Sequence, residues 1–313
     1  MDPARLEVLV SMEPFVEAEM AAHVARRNLW FPSELLPRNT EADTDVAEIR
    51  DAARGLPDTI RVALAINLLT EEGLPHFHRL IAVYMGTESP WSTWNNLWTA
   101  EEDRHGCVLR DYVRDARVFD IIALERLQYA YIASGFNPEW EHDAYRLLAY
   151  TSLQERATQV AHANTGRTCG RYEPAIQRVL AHVSGDEARH FKFYRNVFGE
   201  VLKRDTERAL YALLRVMPAL AMPGHTIPNY EAMSEVMMRA DIYGPRHYQK
   251  IVEELLAFWK IGELGGLTAV GRELQDRLMC IPARLERMAD YILKKMHPRE
   301  FRFDFLGDRA LIA

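Results

Sequence analysis

Two copies of the short motif Glu-x-x-His constrain the fold of this chain more than any other feature of its sequence. Glu102 and His105 form the first copy, and Glu187 and His190 form the second. Residues three positions apart lie on one face of a helix, so each copy can direct a carboxylate and an imidazole to the same point. A third copy at 139–142 follows a proline at a predicted helix start and is interpreted as a solvated capping turn. Chance alone produces about one copy in a chain of this composition, so the motif needs further support.

The support comes from a single carboxylate upstream of each motif. Glu71 precedes Glu102 by 31 residues, and Glu155 precedes Glu187 by 32. A helix of about 20 residues, a turn and part of the returning helix span that distance, so each pair would meet side by side. Four helices would then contribute Glu, Glu-x-x-His, Glu and Glu-x-x-His, which is the ligand set of ferritin-like di-iron and di-manganese bundles. The alternative is a pair of amphipathic helices with charged faces and coincidental spacing.

Apolar residues at three- and four-residue spacing predict helices along most of the chain. The main helices are predicted over 4–29, from about 46 or 57 to 85, over 91–113, over 139–165 and over 175–201. The alternating tail REFRFDFLGDRALIA predicts a short C-terminal β-hairpin. Because no low-complexity linker interrupts the chain, residues 1–313 are predicted to form one all-α domain. We expect a ferritin-like helical bundle with additional helices and a four-helix metal core at about 57–201.

The composition excludes several other classes of protein. The chain of 313 residues is 48% hydrophobic and 27% charged, as expected for a globular protein. Its formal net charge of −7 provides no general attraction to nucleic acid or anionic lipid. No stretch approaches ~18 uninterrupted apolar residues, so no membrane span is predicted. The only cysteines, Cys107, Cys169 and Cys280, are too scattered for a disulfide framework, which predicts a cytoplasmic location.

Further polar and aromatic residues lie close to the motifs in sequence. Trp98 falls on the same side of its predicted helix as the first motif, and Trp30 is a second indole for this region; either can also be a core residue. Thr158 lies one turn after Glu155, where its hydroxyl either faces the centre or bonds back to its own helix. Pro75 lacks the N–H group that would continue the helix near the first upstream glutamate, so a local distortion or a kink is expected there.

An acidic residue directly precedes each motif. Asp186 could orient His105, because metal-bound histidines usually donate their other N–H group to an acceptor. We expect Glu101 and Asp103 on the more solvated side of the helix.

Five segments in order carry a resemblance to a known family. The chain resembles the soluble acyl-carrier-protein desaturases, namely the plant stearoyl type and its actinobacterial relatives, and the likeness extends from about Trp30 to the end. The five segments are TEEGLP (70–75), WTAEEDRHG (98–106), SLQERAT (152–158), ANTGR (163–167) and DEARH (186–190). Segments at 258–276 and the tail FRFDF are also similar.

The resemblance implies a homodimeric helical bundle with two iron ions per subunit. By position, Glu71 and Glu155 would each chelate one iron, Glu102 and Glu187 would bridge, and His105 and His190 would complete the two sites. Thr158 would lie at the oxygen pocket, and Trp30, Trp98 and Asp186 would form the electron route from the surface. Reduced ferredoxin would deliver two electrons, and a fatty acyl chain on acyl carrier protein would acquire a cis double bond.

The chain departs from the plant pattern where acyl-chain selection is expected. Leu147 and Leu148 replace a Gly-Phe pair of the plant relatives, and Val83 and Tyr84 occupy a stretch that faces the tunnel in the family. Bulkier groups there would shorten or redirect the tunnel, unless neighbouring residues compensate. An eighteen-carbon substrate and a Δ9 product are therefore not assumed.

Two other functions fit parts of the sequence. One is a ferritin-like di-iron oxidase, hydroxylase or iron-handling protein without an acyl substrate, and the other is a helical interaction protein without metal. An acidic carrier protein or ferredoxin would need local positive charge on this acidic chain. Candidate cations, which can also be ordinary solvated helix faces, are Arg26, Arg27, Arg110, Arg114 and Arg117.

Overall fold

The computed structural model describes residues 3–36, 43–136, 138, 140, 142–218, 223–307 and 309–313. Within these ranges the helices α1 to α15 span Pro3–Ser11, Glu13–Arg26, Pro32–Leu35, Asp43–Arg54, Asp58–Glu71, Leu74–Met85, Pro90–Asp115, Ile121–Ser134, Ala144–Cys169, Pro174–Arg204, Thr206–Val216, Tyr230–Arg239, Pro245–Phe258, Ala269–Met279 and Ile281–Lys295. Short 3-10 turns occupy Pro223–Thr226, Ile261–Glu263 and Asp304–Leu306, and the strands are β1 (Glu300–Phe301) and β2 (Leu311–Ile312).

Helices α5, α7, α9 and α10 form the central bundle, and the prediction of an all-α, ferritin-like fold is confirmed. Helix α5 is buried along almost its whole length, which explains the run VALAINLL, apolar except for Asn67. Helices α9 and α10 pack together most extensively. Gly166 permits their close approach, since a Cβ atom there would lie 3.0 Å from the Cβ of Leu180.

Of the two starts considered for the long helix up to residue 85, the later one agrees with the structure, but the prediction that this helix runs unbroken to residue 85 is wrong. Pro57 caps α5, and Gly73 separates α5 from α6, in which Pro75 occupies the second position. A proline fits there because the first N–H groups of a helix have no intrahelical partner. Helix α9 begins five residues later than predicted, where Asp143 accepts hydrogen bonds from the backbone N–H groups of Tyr145 and Arg146. Glu139, in the third Glu-x-x-His copy, lies outside the described residues.

The predicted C-terminal hairpin is confirmed. Strands β1 and β2 are antiparallel, with Glu300 opposite Ile312 and Phe301 opposite Leu311. Phe301 and Leu311 are buried in the apolar cluster that also includes residues of α5 and α12. The tail therefore covers one side of the bundle.

The structure agrees with two further expectations from composition. Across the described ranges, no helix combines the length and the apolarity needed to cross a bilayer. Cys107 and Cys280 are exposed free thiols, and Cys169 is a buried free thiol.

Arg61 connects the start of α5 to α4, to the loop between α4 and α5, and to the loop between α7 and α8. Its buried guanidinium donates hydrogen bonds to the backbone carbonyls of Leu56 (3.0 Å), Val118 (2.7 Å) and Ala53 (2.7 Å). We expect Arg61→Lys to lower the free energy of unfolding by about 1–3 kcal/mol, because a lysine cannot satisfy these separated acceptors with one ammonium group. Urea denaturation would measure the loss, with Arg54→Lys at an exposed position as the control. Equal stability of the two variants would contradict the role given to Arg61.

Candidate metal centre

The six residues that the motifs and their spacing singled out converge between α5, α7, α9 and α10. Their potential ligand atoms form two groups, and within each group all atoms lie within 4.8 Å of one another. The first group comprises Glu71, Glu102, His105 and Glu187, and the second comprises Glu102, Glu155, Glu187 and His190. Glu102 and Glu187 belong to both groups, so the arrangement has two adjoining positions with two shared carboxylates.

The Nδ1 atoms of the two histidines face the shared carboxylates. His105 Nδ1 lies 3.5 Å from an oxygen of Glu71, 3.5 Å from Glu102 and 3.4 Å from Glu187. His190 Nδ1 lies 2.7 Å from Glu102 and 3.6 Å from Glu155. Each histidine therefore contributes one nitrogen to one of the two groups.

Burial and missing hydrogen bonds make this cluster suitable for cations. All six residues are buried, and both histidines are fully inaccessible to solvent. Among the described residues, both Glu155 oxygens and the Nδ1 atoms of both histidines find no hydrogen-bond partner of good geometry. Buried polar atoms without partners are costly, and two cations would satisfy them. Carboxylate and imidazole ligands suit iron, manganese and other transition ions.

The protonation of the cluster reflects burial and like charges. Burial, followed by the charge of Glu187, raises the pKa of Glu155 well above its usual range. The pKa of Glu102 is raised for the same two reasons. Burial would also raise the pKa of Glu71, but hydrogen bonds from His105 and His162 outweigh it and bring this pKa well below the usual range. The four carboxylates thus compete for positive charge inside the protein.

The second nitrogen of His105 is held by Asp186. His105 Nε2 lies 3.2 Å from Asp186 Oδ2, and the Trp30 indole donates to the same oxygen at 2.9 Å. Arg104 donates to this oxygen at 3.1 Å and to the Trp30 carbonyl at 2.7 Å. The Trp30 ring stacks on His105 with ring centroids 6.1 Å apart. Trp30, Asp186 and His105 therefore form one continuous chain of contacts.

His190 has an equivalent support that the sequence interpretation missed. Its Nε2 atom lies 3.0 Å from Glu101 Oε2, which is also 2.9 Å from His23 Nε2. The expectation that Glu101 is solvated is wrong, since only 2% of this residue is exposed; Asp103 is exposed as expected. Helix α2 packs beside α7, and its His23 covers the Glu101 carboxylate, so this position is closed to solvent. Because Asp186 precedes the second motif as Glu101 precedes the first, the repeat could have indicated this role.

Two residues of α9 complete the polar surroundings. His162 Nε2 lies 2.7 Å from Glu71 Oε1, and His162 follows Glu155 by seven residues, on the same helix face. The Thr158 hydroxyl lies 2.8 Å from Glu187 Oε2 and within 3.2 Å of the Gln154 and Glu155 carbonyls. The Thr158 hydroxyl therefore faces the cluster and is also within hydrogen-bonding distance of its own helix, so the two alternatives considered for it are not exclusive.

Two cavities beside the cluster share Thr70 and Thr158 in their walls. The larger has a volume of about 860 Å³ and extends between α5, α9, α12 and α15 to the exposed Met288 and Tyr291. The smaller has a volume of about 20 Å³ and is lined by Thr70, Glu71, Leu74, Phe77, Trp98, Glu102, Gln154, Thr158 and Glu187. The small cavity therefore contacts three carboxylates of the cluster, and the large cavity, which shares Thr70 and Thr158 with it, extends to the surface.

Most of the other predicted site residues lie near this region. Trp98 is buried, lines the small cavity and has its ring 6.4 Å from that of His190. Tyr84, Leu147 and Leu148 are buried in the surrounding apolar core but line neither cavity. Val83 does not face a tunnel, since 54% of it is exposed. It shares the outer face of α6 with Pro75 and Arg79 at four-residue spacing, opposite Phe77, Leu80, Ile81 and Tyr84.

Comparison with known proteins gives the family. The family model described as fatty acid desaturase matches residues 4–306. The Mycobacterium tuberculosis protein named acyl-[acyl-carrier-protein] desaturase DesA1 is 33% identical, with 91% of this chain and 87% of that protein covered. The chloroplastic stearoyl-[acyl-carrier-protein] 9-desaturase of Gossypium hirsutum is 32% identical over 94% of this chain and 79% of that protein.

A solved structure supports the fold independently. The X-ray structure of the acyl-ACP desaturase DesA2 from Mycobacterium tuberculosis superposes with a TM-score of 0.64 and covers 86% of this chain and 99% of that one, at 20% identity. The architecture is therefore shared even where few residues are identical. Because the family model covers almost the whole chain, this protein belongs to the fatty acid desaturase family, a family of oxidoreductases.

Proposed function

We propose that this protein is an acyl-carrier-protein desaturase that uses oxygen and two irons to insert a cis double bond into a fatty acyl chain. The observation that carries the proposal is the pair of four-residue groups that share Glu102 and Glu187. Four carboxylates can balance the charge of two divalent ions, and one imidazole per ion leaves positions open for oxygen. The names of the DesA1 and cotton relatives support the acyl-carrier-protein substrate.

The roles of the six residues follow their grouping. Glu71 and His105 would hold one iron, Glu155 and His190 the other, and Glu102 and Glu187 would bridge them. When bound, the irons supply the redox chemistry that breaks an unactivated C–H bond, which acidic and basic side chains cannot do. Asp186 and Glu101 would accept the Nε2 protons of the histidines, which keeps the Nδ1 lone pairs directed at the cluster.

The reaction removes two hydrogens from adjacent methylene groups. Two C–H bonds of R–CH₂–CH₂–R′ break and the second C–C bond of R–CH=CH–R′ forms. One O₂ accepts the two electrons of that oxidation and two more from reduced ferredoxin; with the two substrate hydrogens and two protons it becomes two waters. The buried Trp98 and Phe77 and the partly buried Leu74 would keep bulk water away from the reacting carbons.

Electrons would reach the centre along Trp30, Asp186 and His105. The hydrogen bond of 2.9 Å between Trp30 and Asp186 and the contact of 3.2 Å between Asp186 and His105 support this order. Trp98 is close to His190 and lies outside that chain of contacts. Thr158 would donate its hydroxyl to Glu187 at the oxygen pocket, as its 2.8 Å distance supports.

The partners proposed are acyl carrier protein, ferredoxin and a second copy of the chain, all on the strength of the family resemblance. Of the candidate docking cations, Arg110 pairs with Glu72 and Arg114 with Asp111, which balances their charges. Arg26, at the C-terminal end of α2, is exposed close to the loop that carries Trp30. Arg26 is therefore a better candidate than Arg110 and Arg114 for attracting an acidic electron donor.

The test is a single turnover with iron-loaded protein. The protein is reduced anaerobically with stearoyl- or palmitoyl-carrier protein present, exposed to oxygen, and its product analysed by mass spectrometry. We expect an acyl chain lighter by two hydrogens. An added oxygen atom would instead indicate a hydroxylase, and intact chains on protein with two irons per subunit would favour an oxidase or iron-handling role. Failure to bind two metals would refute the ligand assignment itself.

A further inference from the structure

Each ligand histidine of the cluster leads outward through a carboxylate to a second ring. At the first metal position, one oxygen of Asp186 contacts both His105 Nε2 (3.2 Å) and the Trp30 indole nitrogen (2.9 Å). The Trp30 ring stacks on the His105 ring, with centroids 6.1 Å apart and planes inclined by 6°. Arg104 donates to the same Asp186 oxygen. We call Trp30, Asp186 and His105 the Trp30 route, since electrons are proposed to follow it.

The second metal position repeats this arrangement with different residues. One oxygen of Glu101 contacts both His190 Nε2 (3.0 Å) and His23 Nε2 (2.9 Å). The His23 ring stacks on the His190 ring, with centroids 5.7 Å apart and planes inclined by 20°. Arg27 lies 3.5 Å from the other Glu101 oxygen. We call His23, Glu101 and His190 the His23 route.

Support of the ligand histidines explains the two carboxylates but not the rings beyond them. A carboxylate alone accepts the Nε2 proton of a ligand histidine and fixes the direction of its ring. The outer ring is an additional contact, and at both positions it continues the chain of contacts away from the metal position. His23 lies in the last turn of α2, and Trp30 lies in the loop that follows. Both routes therefore end at the same segment of the chain.

This segment lies beside a positively charged part of the surface. His23 lines a small pocket whose wall contains three cations, Arg26, Arg189 and Lys192, and among the described residues one carboxylate, Glu19. Arg26 and Lys192 are exposed. Arg189 also pairs with the carboxylate of the Trp30 route, so this surface adjoins both routes. An acidic protein that donates electrons would be attracted to it.

We infer that the His23 route carries electrons to the second metal position, in parallel with the Trp30 route to the first. This inference rests on the proposed function. Each of two reduced donor molecules loses one electron and each of two ferric ions gains one, so no bond forms or breaks. His23 and Glu101 are neither oxidised nor reduced, because they only provide the hydrogen-bonded contacts that the electron crosses.

The test measures how fast a reduced plant-type ferredoxin reduces the iron-loaded protein, as stopped-flow loss of the ferric absorbance. The variants are Trp30→Phe, His23→Leu and the double variant. Since the rates of parallel routes add, each single variant should keep the rate of the route left intact. The double variant should be at least about 10-fold slower than either single variant, as for the loss of outer partners of metal ligands. If His23→Leu leaves the rate unchanged both alone and in the Trp30→Phe protein, the inference is overturned.

A second reductant separates electron transfer from mere support of the iron position. Dithionite is a small ion that is not confined to the donor surface, because the large cavity extends from the surface to Thr158, whose hydroxyl lies 2.8 Å from Glu187. It should reduce His23→Leu at the parent rate, with two irons per subunit in both proteins. An equal slowing with both reductants, or the loss of one iron, would mean that His23 only supports the iron position and would overturn the inference.

Further variants serve as controls. His23→Gln retains an amide N–H group that can donate to Glu101, so its ferredoxin-driven rate should stay at the parent level. His78→Leu removes a half-buried histidine that contacts Thr99 at 2.7 Å and belongs to neither route. A slowing of His78→Leu as large as that of His23→Leu would overturn the inference. If His23→Leu does not fold, His23→Met replaces it, since this unbranched side chain fills irregular space and cannot donate a hydrogen bond.

The reduction is measured without acyl substrate, so its result is independent of the desaturation assay. Irons that are reduced along both routes in a protein that forms no double bond would remove the proposed desaturase activity and leave this inference in place. A protein that binds no iron would overturn both.

Discussion

Glu155→Gln should lower the desaturase activity at least about 100-fold, since loss of an outer partner of a metal ligand alone costs about 10–100-fold. The proposed role of Glu155 is metal binding alone, because neither of its oxygens has a hydrogen-bond partner of good geometry among the described residues. The amide has the same shape as the carboxyl but is a poor ligand for a hard cation. Iron content per subunit should fall from two towards one, measured by colorimetric assay after gel filtration.

The metal-free form of this variant should be as stable as the parent. Burial and the Glu187 charge raise the pKa of the Glu155 carboxyl well above its usual range, which favours the uncharged form of this group in the metal-free parent. We expect melting temperatures within about 3 °C of each other without iron, and a smaller increase on iron addition for the variant. Glu125→Gln, at an exposed position on α8, serves as the control. Two irons and full activity in Glu155→Gln would remove this residue from the ligand set.

The central bundle could be predicted from sequence because it depends on local patterns. The spacing between each upstream glutamate and its motif requires helices that return side by side, and α5, α7, α9 and α10 do so. The start of α5 at Pro57 was one of the two starts predicted, whereas at Pro75 a distortion or a kink was expected and the structure has a new helix, in which proline occupies a favourable position near the start. A proline at such a position is compatible with a continuous helix and with the start of a new one, so the break can be predicted only if the preceding turn is recognised.

The surroundings of the centre could be predicted only in part. Asp186 was found because it precedes a motif, and the same argument applied to Glu101 would have placed it beside His190. The sequence gives no indication that His23 belongs to these surroundings, because His23 lies in α2 and contacts Glu101 only through tertiary packing. The position of Phe77 is a similar case: Phe77 shares α6 with Val83, and only the orientation of this helix decides that Phe77 lies beside the cluster while Val83 is exposed.

The two acidic residues before the motifs define a pair of variants with opposite expected effects. Asp186 accepts from His105, which belongs to the group with Glu71, and Glu101 accepts from His190, which belongs to the group with Glu155. Asp186→Asn should therefore weaken one iron position and Glu101→Gln the other, each by about 10–100-fold in affinity. A charged acceptor makes a histidine nitrogen a better ligand, and an amide does this less well.

Mössbauer spectra of protein loaded with limiting iron would distinguish the two positions, since each variant should leave a different one filled. Asp103→Asn is the matched control, because Asp103 is exposed on the same helix as Glu101. A merely structural role of Glu101 would lower the melting temperature without changing which position keeps its iron. Should both variants lose the same iron, the pairing of Asp186 with one histidine and Glu101 with the other could not govern the two sites separately. If neither loses iron while the activity still falls, Asp186 acts in electron transfer through Trp30 rather than in ligand orientation.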